Sequence, residues 1–325
     1  MTTDRAEPLD SIKREKSGAA EQSGRYRVRV IFSFAATWLV WGSTYLAIRY
    51  AVATIPPLYA AGFRHLCAGT ILFSWCLYKR LRPTWEQVRA SVIIGAFFFL
   101  GGHGSLHWAE TRIPSGLASL MVASEPIWVF LMICVVTRNW RMTPALLAGI
   151  VLGFSGVALL LRGTILDAGP RTFVGAAVTL CGAGSWAAGV VYSRRSHLSG
   201  HPLLLSAMSL LAGSVQLLVL GTVIGEWRGF SLSSVAGKSW LGLAYLIVFG
   251  SVITFTAYNW LLERYSPTLV TTHTFINPVV AVLIGWAFAG ESLTVTTGIA
   301  AAMVVSAVVL VGRGSPPIAE VAEEG

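Results

Sequence analysis

Stretches of about 20 residues without a charged side chain recur along most of this 325-residue chain, and they restrict its fold more than any other feature. A hydrocarbon layer about 30 Å thick is crossed by roughly 20 apolar residues in a helix. Only 12% of the residues are charged and 54% are hydrophobic, whereas soluble domains carry about 25% charged residues. The reading is an all-α integral membrane protein with ten transmembrane helices. The spans fall near Val30–Ile48, Leu58–Tyr78, Ala90–Ala109, Ile113–Val136, Ala145–Leu161, Thr172–Tyr192, Leu203–Ile224, Ser239–Leu262, Pro267–Ala289 and Thr294–Val311. The connections are short, so little mass is expected outside the bilayer.

Residues 1–29 mix Lys/Arg with Asp/Glu and lack an apolar core followed by a small-residue cleavage site, so no cleavable signal peptide is expected. This segment and residues 315–325 read as disordered tails. With the amino terminus cytoplasmic, the clusters Lys79-Arg80 with Arg82 and Arg89, Arg138 with Arg141, and Arg194-Arg195 all fall on the cytoplasmic side. The positive-inside rule therefore places both termini in the cytoplasm. That asymmetry and anionic headgroups account for the net charge of +9, so nucleic-acid binding is not read from it. Cys67, Cys76, Cys134 and Cys181 lie within spans without metal-ligand spacing, as packing residues would.

Two halves of the chain repeat each other. An offset of 152 residues places Pro126 on Pro278, Trp108 on Trp260 and Leu117 on Leu269. Nearby offsets match Gly42-Ser43 with Gly184-Ser185, and Tyr50 with Tyr192. The units span 30–165 and 166–314. Five spans per unit is an odd number, so the second unit enters the membrane from the opposite side and the repeat is inverted. Such repeats commonly build a site that opens alternately to either face.

These residues resemble the drug/metabolite transporter superfamily, and within it the EamA-type ten-helix exporters. The resemblance rests on Trp41-Gly42-Ser43, Pro57, Arg64-His65 and Pro126 in the first unit. In the second it rests on Gly184-Ser185-Trp186, Asn277-Pro278 and Gly290-Glu291-Ser292-Leu293-Thr294. It implies export of a small metabolite, amino acid or drug-like compound through a central cavity without ATP. His65 departs from the aromatic residue commoner in the family at that position, and no role is carried over to it.

Glu125 is expected about 18 Å into its helix, close to the bilayer centre. An ionisable group there faces a cavity or a partner, and burial disfavours its charged form. Glu125 is read as binding a coupling proton or a cationic part of the substrate; a protonated structural glutamate is the alternative. Pro126 and Pro278 cannot donate to the carbonyls of Val122 and Thr274, so each breaks a helix at mid-depth, either to expose carbonyls to a site or simply to kink. Asn277 and His273, one turn apart, either line the cavity opposite Glu125 or make a structural bond.

Arg64 either snorkels to the headgroups or reaches a substrate carboxylate or Glu125. Arg49 reads as an interfacial anchor. Of the deeper tryptophans Trp41, Trp128, Trp186 and Trp260, lipid-facing or core packing is the reading preferred for any one, and Trp41 and Trp186, each beside a Gly-Ser step, are the stronger pair for stacking on a substrate. His103, His107 and Glu110 share a helical face at ligand-like spacing, yet packing or cavity lining suits them better, and no metal or cofactor is read.

The function expected is a secondary transporter in a bacterial inner membrane, moving a small organic solute by alternating access, with a proton as candidate coupling ion. No glycine-lysine phosphate loop for ATP occurs. A membrane-embedded enzyme using His103, His107, Glu110 and Glu125 on a lipid-linked substrate is the competing class.

Overall fold

The computed structural model describes residues 24–138, 143–196, 200–262, 264–265 and 273–314. The terminal segments 1–23 and 315–325 and the start of the expected ninth span, with Pro267, lie outside the described residues. Among these residues every regular element is helical. The helices are α1 (Gly24–Ala51), α2 (Pro57–Tyr78), α3 (Trp85–Ala109), α4 (Ser115–Val122), α5 (Glu125–Thr137), α6 (Pro144–Ala168), α7 (Pro170–Arg195), α8 (Pro202–Val223), α9 (237–262), α10 (His273–Ala289) and α11 (Val295–Gly314). Among the described residues, six helical stretches are long and apolar enough by themselves to cross a membrane.

Local chemistry sets the boundaries. Prolines in the first turn of α2, α6, α7 and α8 supply a fixed φ where a helix needs no amide donor. Thr84 and Gln87 form a reciprocal capping box at the start of α3, and the Thr143 hydroxyl accepts from the Leu146 amide at the start of α6. Gly169, at φ +77°, turns the chain between α6 and α7, a conformation in which a side chain would be strained. α1 begins at Gly24, six residues ahead of the expected span.

Large apolar residues such as Phe63, Leu241, Val295 and Trp286 are exposed, as lipid-facing residues would be. Small residues fill the seams between helices: Ala60, Ala61 and Ala68 of α2, Ala118 of α4, and Ala187 of α7 are fully buried. α2 packs on α8 and α6 on α11. α1 packs on α9 and α10, and α7 packs on α3, α4 and α5. Without a hydrophobic force between helices in lipid, such approaches depend on close backbone packing. Of the four cysteines, Cys76 and Cys134 are buried as expected, whereas Cys67 and Cys181 are exposed on helix surfaces, where outward-facing positions need no packing role.

One end of the bundle is tied by polar links between distant segments. Thr54 donates to Ser239 (2.8 Å), Ser239 to the Tyr50 carbonyl (2.7 Å), and the Tyr50 hydroxyl to the Phe288 carbonyl (2.8 Å). Beyond the C-terminal end of α8, the Glu226 carboxylate accepts from the Leu58 amide at 3.0 Å and the Tyr59 amide at 3.3 Å, capping α2. Burial pushes the Glu226 carboxyl up, and those two amides pull it back.

A close approach of two helix backbones tests this packing. A methyl on Gly95 of α3 would lie 2.7 Å from the Gly213 nitrogen and 2.9 Å from the Ser209 carbonyl oxygen on α8. Gly95→Val should cost about 1–3 kcal/mol by overpacking and lower the thermal unfolding midpoint in detergent. Gly298→Ala, where nothing lies within 4 Å, should leave that midpoint unchanged or raise it.

Candidate functional site

The polar interior is organised where helices depart from regular α geometry. Residues Ala36–Val40 of α1, Ala96–Gly104 of α3 and Leu246–Ile253 of α9 run in wide, i→i+5 turns, which recur at functional sites. Entering or leaving such a stretch shifts the hydrogen-bond register and loosens a carbonyl. Each stretch has a carbonyl taken up by a side chain from the other half of the chain. The Trp41 indole donates to the Gly250 carbonyl (3.0 Å). The Ser185 hydroxyl donates to the Phe97 carbonyl (2.9 Å). Asn277, with its amide turned so that every neighbour is satisfied, donates to the Thr37 (3.2 Å) and Trp38 (2.9 Å) carbonyls and to its own His273 carbonyl (3.1 Å).

Trp41, Asn277, His273 and Arg64 come together around α9. The His273 ring meets the Trp41 ring edge-on at 4.8 Å and lies 5.9 Å from Tyr258. Arg64 is 2% exposed, and its Nε donates to the Ser251 hydroxyl (3.0 Å). Gly250 leaves room for the guanidinium, since a methyl there would be 3.2 Å from Nη2. The long side chain is thus held between helices rather than reaching a headgroup layer. Its carboxylate neighbour is Glu110, not Glu125.

Trp186 joins a second group. It stacks on Phe98 at 4.4 Å and lies 5.0 Å from His103. His103 Nδ1 and His65 Nε2 are hydrogen-bonded at 2.9 Å with their rings nearly parallel. His107 Nδ1 donates to the His103 carbonyl (2.7 Å), which makes its Nε2 a lone-pair acceptor, buried and without a partner. His65, given no role from the sequence, is therefore central to this cluster. Among the described residues no group of three or more His, Cys, Asp or Glu is arranged to hold a metal.

The two prolines differ. Pro278 lies inside the continuous helix α10. Pro126 lies in the first turn of α5, after a two-residue break at Ala123 and Ser124. There the Ile127 amide already reaches back to the Ser124 carbonyl (3.0 Å), so the expected kink is a full interruption. Glu125 opens α5 and lies in electrostatic reach of Tyr45, apart from the Arg64 group. It makes no hydrogen bond or ion pair among the described residues.

Glu291 is the residue that motif reading left without a task. It pairs with Arg49, and its Oε1 accepts from the Ser115 amide (2.8 Å) and hydroxyl (2.7 Å). Its Oε2 accepts from the Gly116 amide (3.0 Å). It thereby caps α4 from the opposite half of the chain. A lone arginine and a lone glutamate at span ends that span counting puts on one side were the available signal, and the anchor role expected for Arg49 is replaced by this pair.

Long apolar helices that enclose buried polar groups, bonded from one half of the chain to the other, define a polytopic helical membrane protein. Comparison with known proteins narrows this further: the model of the EamA-like transporter family matches residues 28–162 and again 173–313. The chain belongs to that family of membrane transporters. It is 35% identical over 284 residues to the protein named "Uncharacterized inner membrane transporter YedA" of Escherichia coli K12, covering 86% of this chain and 89% of that one. It is 24% identical to "WAT1-related protein At3g02690, chloroplastic" of Arabidopsis thaliana, over 83% of this chain and 66% of that one. A solved crystal structure shares the fold with a TM-score of 0.60 at 19% identity, over 87% of this chain and 97% of the other.

Asn277→Ala removes the donor for two α1 carbonyls. Leaving such groups unpaired costs about 1–3 kcal/mol, so the unfolding midpoint in detergent should fall, and Asn277→Gln should recover only part of the loss.

Proposed function

We propose that this protein is a secondary transporter that moves a small organic solute outward across a bacterial inner membrane by alternating access, with proton coupling. Ten crossings form two inverted five-helix units, with both termini cytoplasmic. The observation that carries this reading is that the helix pairings are unchanged when the units are exchanged. The second helices of the units pair as α2 on α8, and the fifth as α6 on α11. Each first helix packs on the other unit's third and fourth helices: α1 on α9 and α10, α7 on α3 and on α4 with α5. The two tandem family matches and the wide turns in both third helices support the same symmetry. An arrangement that maps onto itself can interchange the conformations of its halves, which is what opening to alternate sides requires.

In this reading Arg64, Trp41, His273 and Asn277 form one wall of the solute site and Trp186 with His65 and His103 another. Glu125, unpaired at the break between α4 and α5, carries the coupling proton or meets a cationic group of the solute. Pro126 and Pro278 hold the two broken or loosened helices at the site. The membrane location follows from the inner-membrane relative.

Purified protein in proteoliposomes, given a panel of labelled amino acids and organic cations and an imposed pH gradient, tests this. Wild type should move at least one solute down the gradient's pull, and Glu125→Gln should abolish gradient-driven movement. Undiminished, still pH-dependent transport by Glu125→Gln would remove the coupling role from that residue.

A further inference from the structure

Glu110 lies one residue past the end of α3 and is 5% exposed, yet neither of its carboxylate oxygens has a hydrogen-bond partner. A charged carboxylate left this way in a protein interior is costly, and native structures leave few such groups without a reason. The Arg49 backbone amide lies near it without completing a hydrogen bond. The charged and titratable groups that face it are Arg49 and Tyr45 from α1, Arg64 from α2 and Glu291 from the α10–α11 connection. His107 lies one turn away on its own helix, with an unpartnered Nε2. Burial first, and Glu291 second, hold the Glu110 carboxyl above the usual carboxylate range, against the pull of Arg49 and Arg64.

Two carboxylates thus compete for one arginine. Glu291 holds it here, and in doing so binds the connection between α10 and α11 to α1 and to the start of α4. There is no slack in this clamp. A methyl on Gly285 would lie 2.4 Å from Glu291 Oε2, and one on Gly116 3.2 Å from the same atom.

We propose that Glu110 is a proton-binding residue that controls this clamp: with Glu110 protonated, Arg49 stays on Glu291 and this end of the bundle is shut; with Glu110 ionised, Arg49 is drawn to it and the end opens. The proton leaves to water at the opening end. Ionisation places a second negative charge beside Glu291 in a poorly solvated site, where repulsion is strong, and gives Arg49 a second charged partner. Separation of the α10–α11 connection from α1 relieves both. This inference rests on the proposed transporter reading for its purpose, since a proton taken up from the water at this end would shut it and return the carrier to its other conformation.

Distance measurement between spin labels at Ala53→Cys, in the α1–α2 connection, and Leu293→Cys, in the α10–α11 connection, tests it in the full chain in nanodiscs. Both positions are exposed, and Cys67→Ser with Cys181→Ser removes the exposed native thiols. As the pH is raised from about 5 to about 9, across and above the ordinary carboxylate range, wild type should gain a longer-distance population. Glu110→Gln should show the short distance at every pH, and Glu291→Gln the longer one at every pH. A Glu110→Gln protein that keeps the wild-type response, or a wild type without one, overturns the proposal. If Glu110→Gln does not fold, Glu110→Asp serves: a shifted midpoint supports the proposal and an unchanged midpoint overturns it. The measurement needs no solute, so an intact pH response with no flux in proteoliposomes would remove the transporter reading alone. Flux with an unaltered Glu110→Gln response would remove this inference alone.

Discussion

Inside a hydrocarbon layer a backbone carbonyl that loses its intrahelical donor must find another within the protein. The wide turns at Ala36–Val40, Ala96–Gly104 and Leu246–Ile253 each loosen helical bonding, and each has a carbonyl answered from the other half of the chain, by Asn277, Ser185 and Trp41. These bonds fix which face of each helix meets its neighbour, and so bring Arg64, His273 and the His65–His103 pair to common ground. A regular helix would have left those carbonyls internal and the crossing without a polar register.

Much of the helical framework was legible because its determinants are local. Apolar length marked the spans, and the prolines at 57, 144, 170 and 202, where four helices begin, stand one or two residues ahead of the starts expected. The wide turns were not legible. The segments AFFFLGGHG and LIVFGSVI are ordinary apolar sequence, and their geometry is imposed by the helices packed against them. A break was expected at both prolines, yet only the one at Pro126 interrupts its helix, while Pro278 at the matching position stays within one. The same residue type is a terminator in one place and an interior residue in another, and tertiary packing decides between them.

Among candidate site residues, sequence reading found groups and missed connections. Trp41, His273 and Asn277 do meet, because two share a helical face and the third lies on the helix packed against it. The electrostatic neighbour of Arg64 was misassigned between two glutamates only fifteen residues apart. Depth along a helix places a residue along the membrane normal but says nothing about azimuth. Glu110 and Glu125 lie on successive segments that face different neighbours. Glu291 escaped notice because a carboxylate in a connection reads as solvated, and only the folded bundle shows three donors and an arginine closing around it.

In the proposed inverted repeat the two ends of the bundle have equivalent backbones, so a difference between them comes from side chains. The repeat offsets place Arg49 on Val191 and Glu110 on Leu262. Arg49 and Glu110 therefore have apolar residues at the equivalent positions of the other end. An end closed by an ion pair and a buried carboxylate responds to proton concentration; one closed at the same positions by Val and Leu does not. Under that proposal symmetry supplies two conformations, and Arg49, Glu110 and Glu291 gathered at one end set which of them a proton favours.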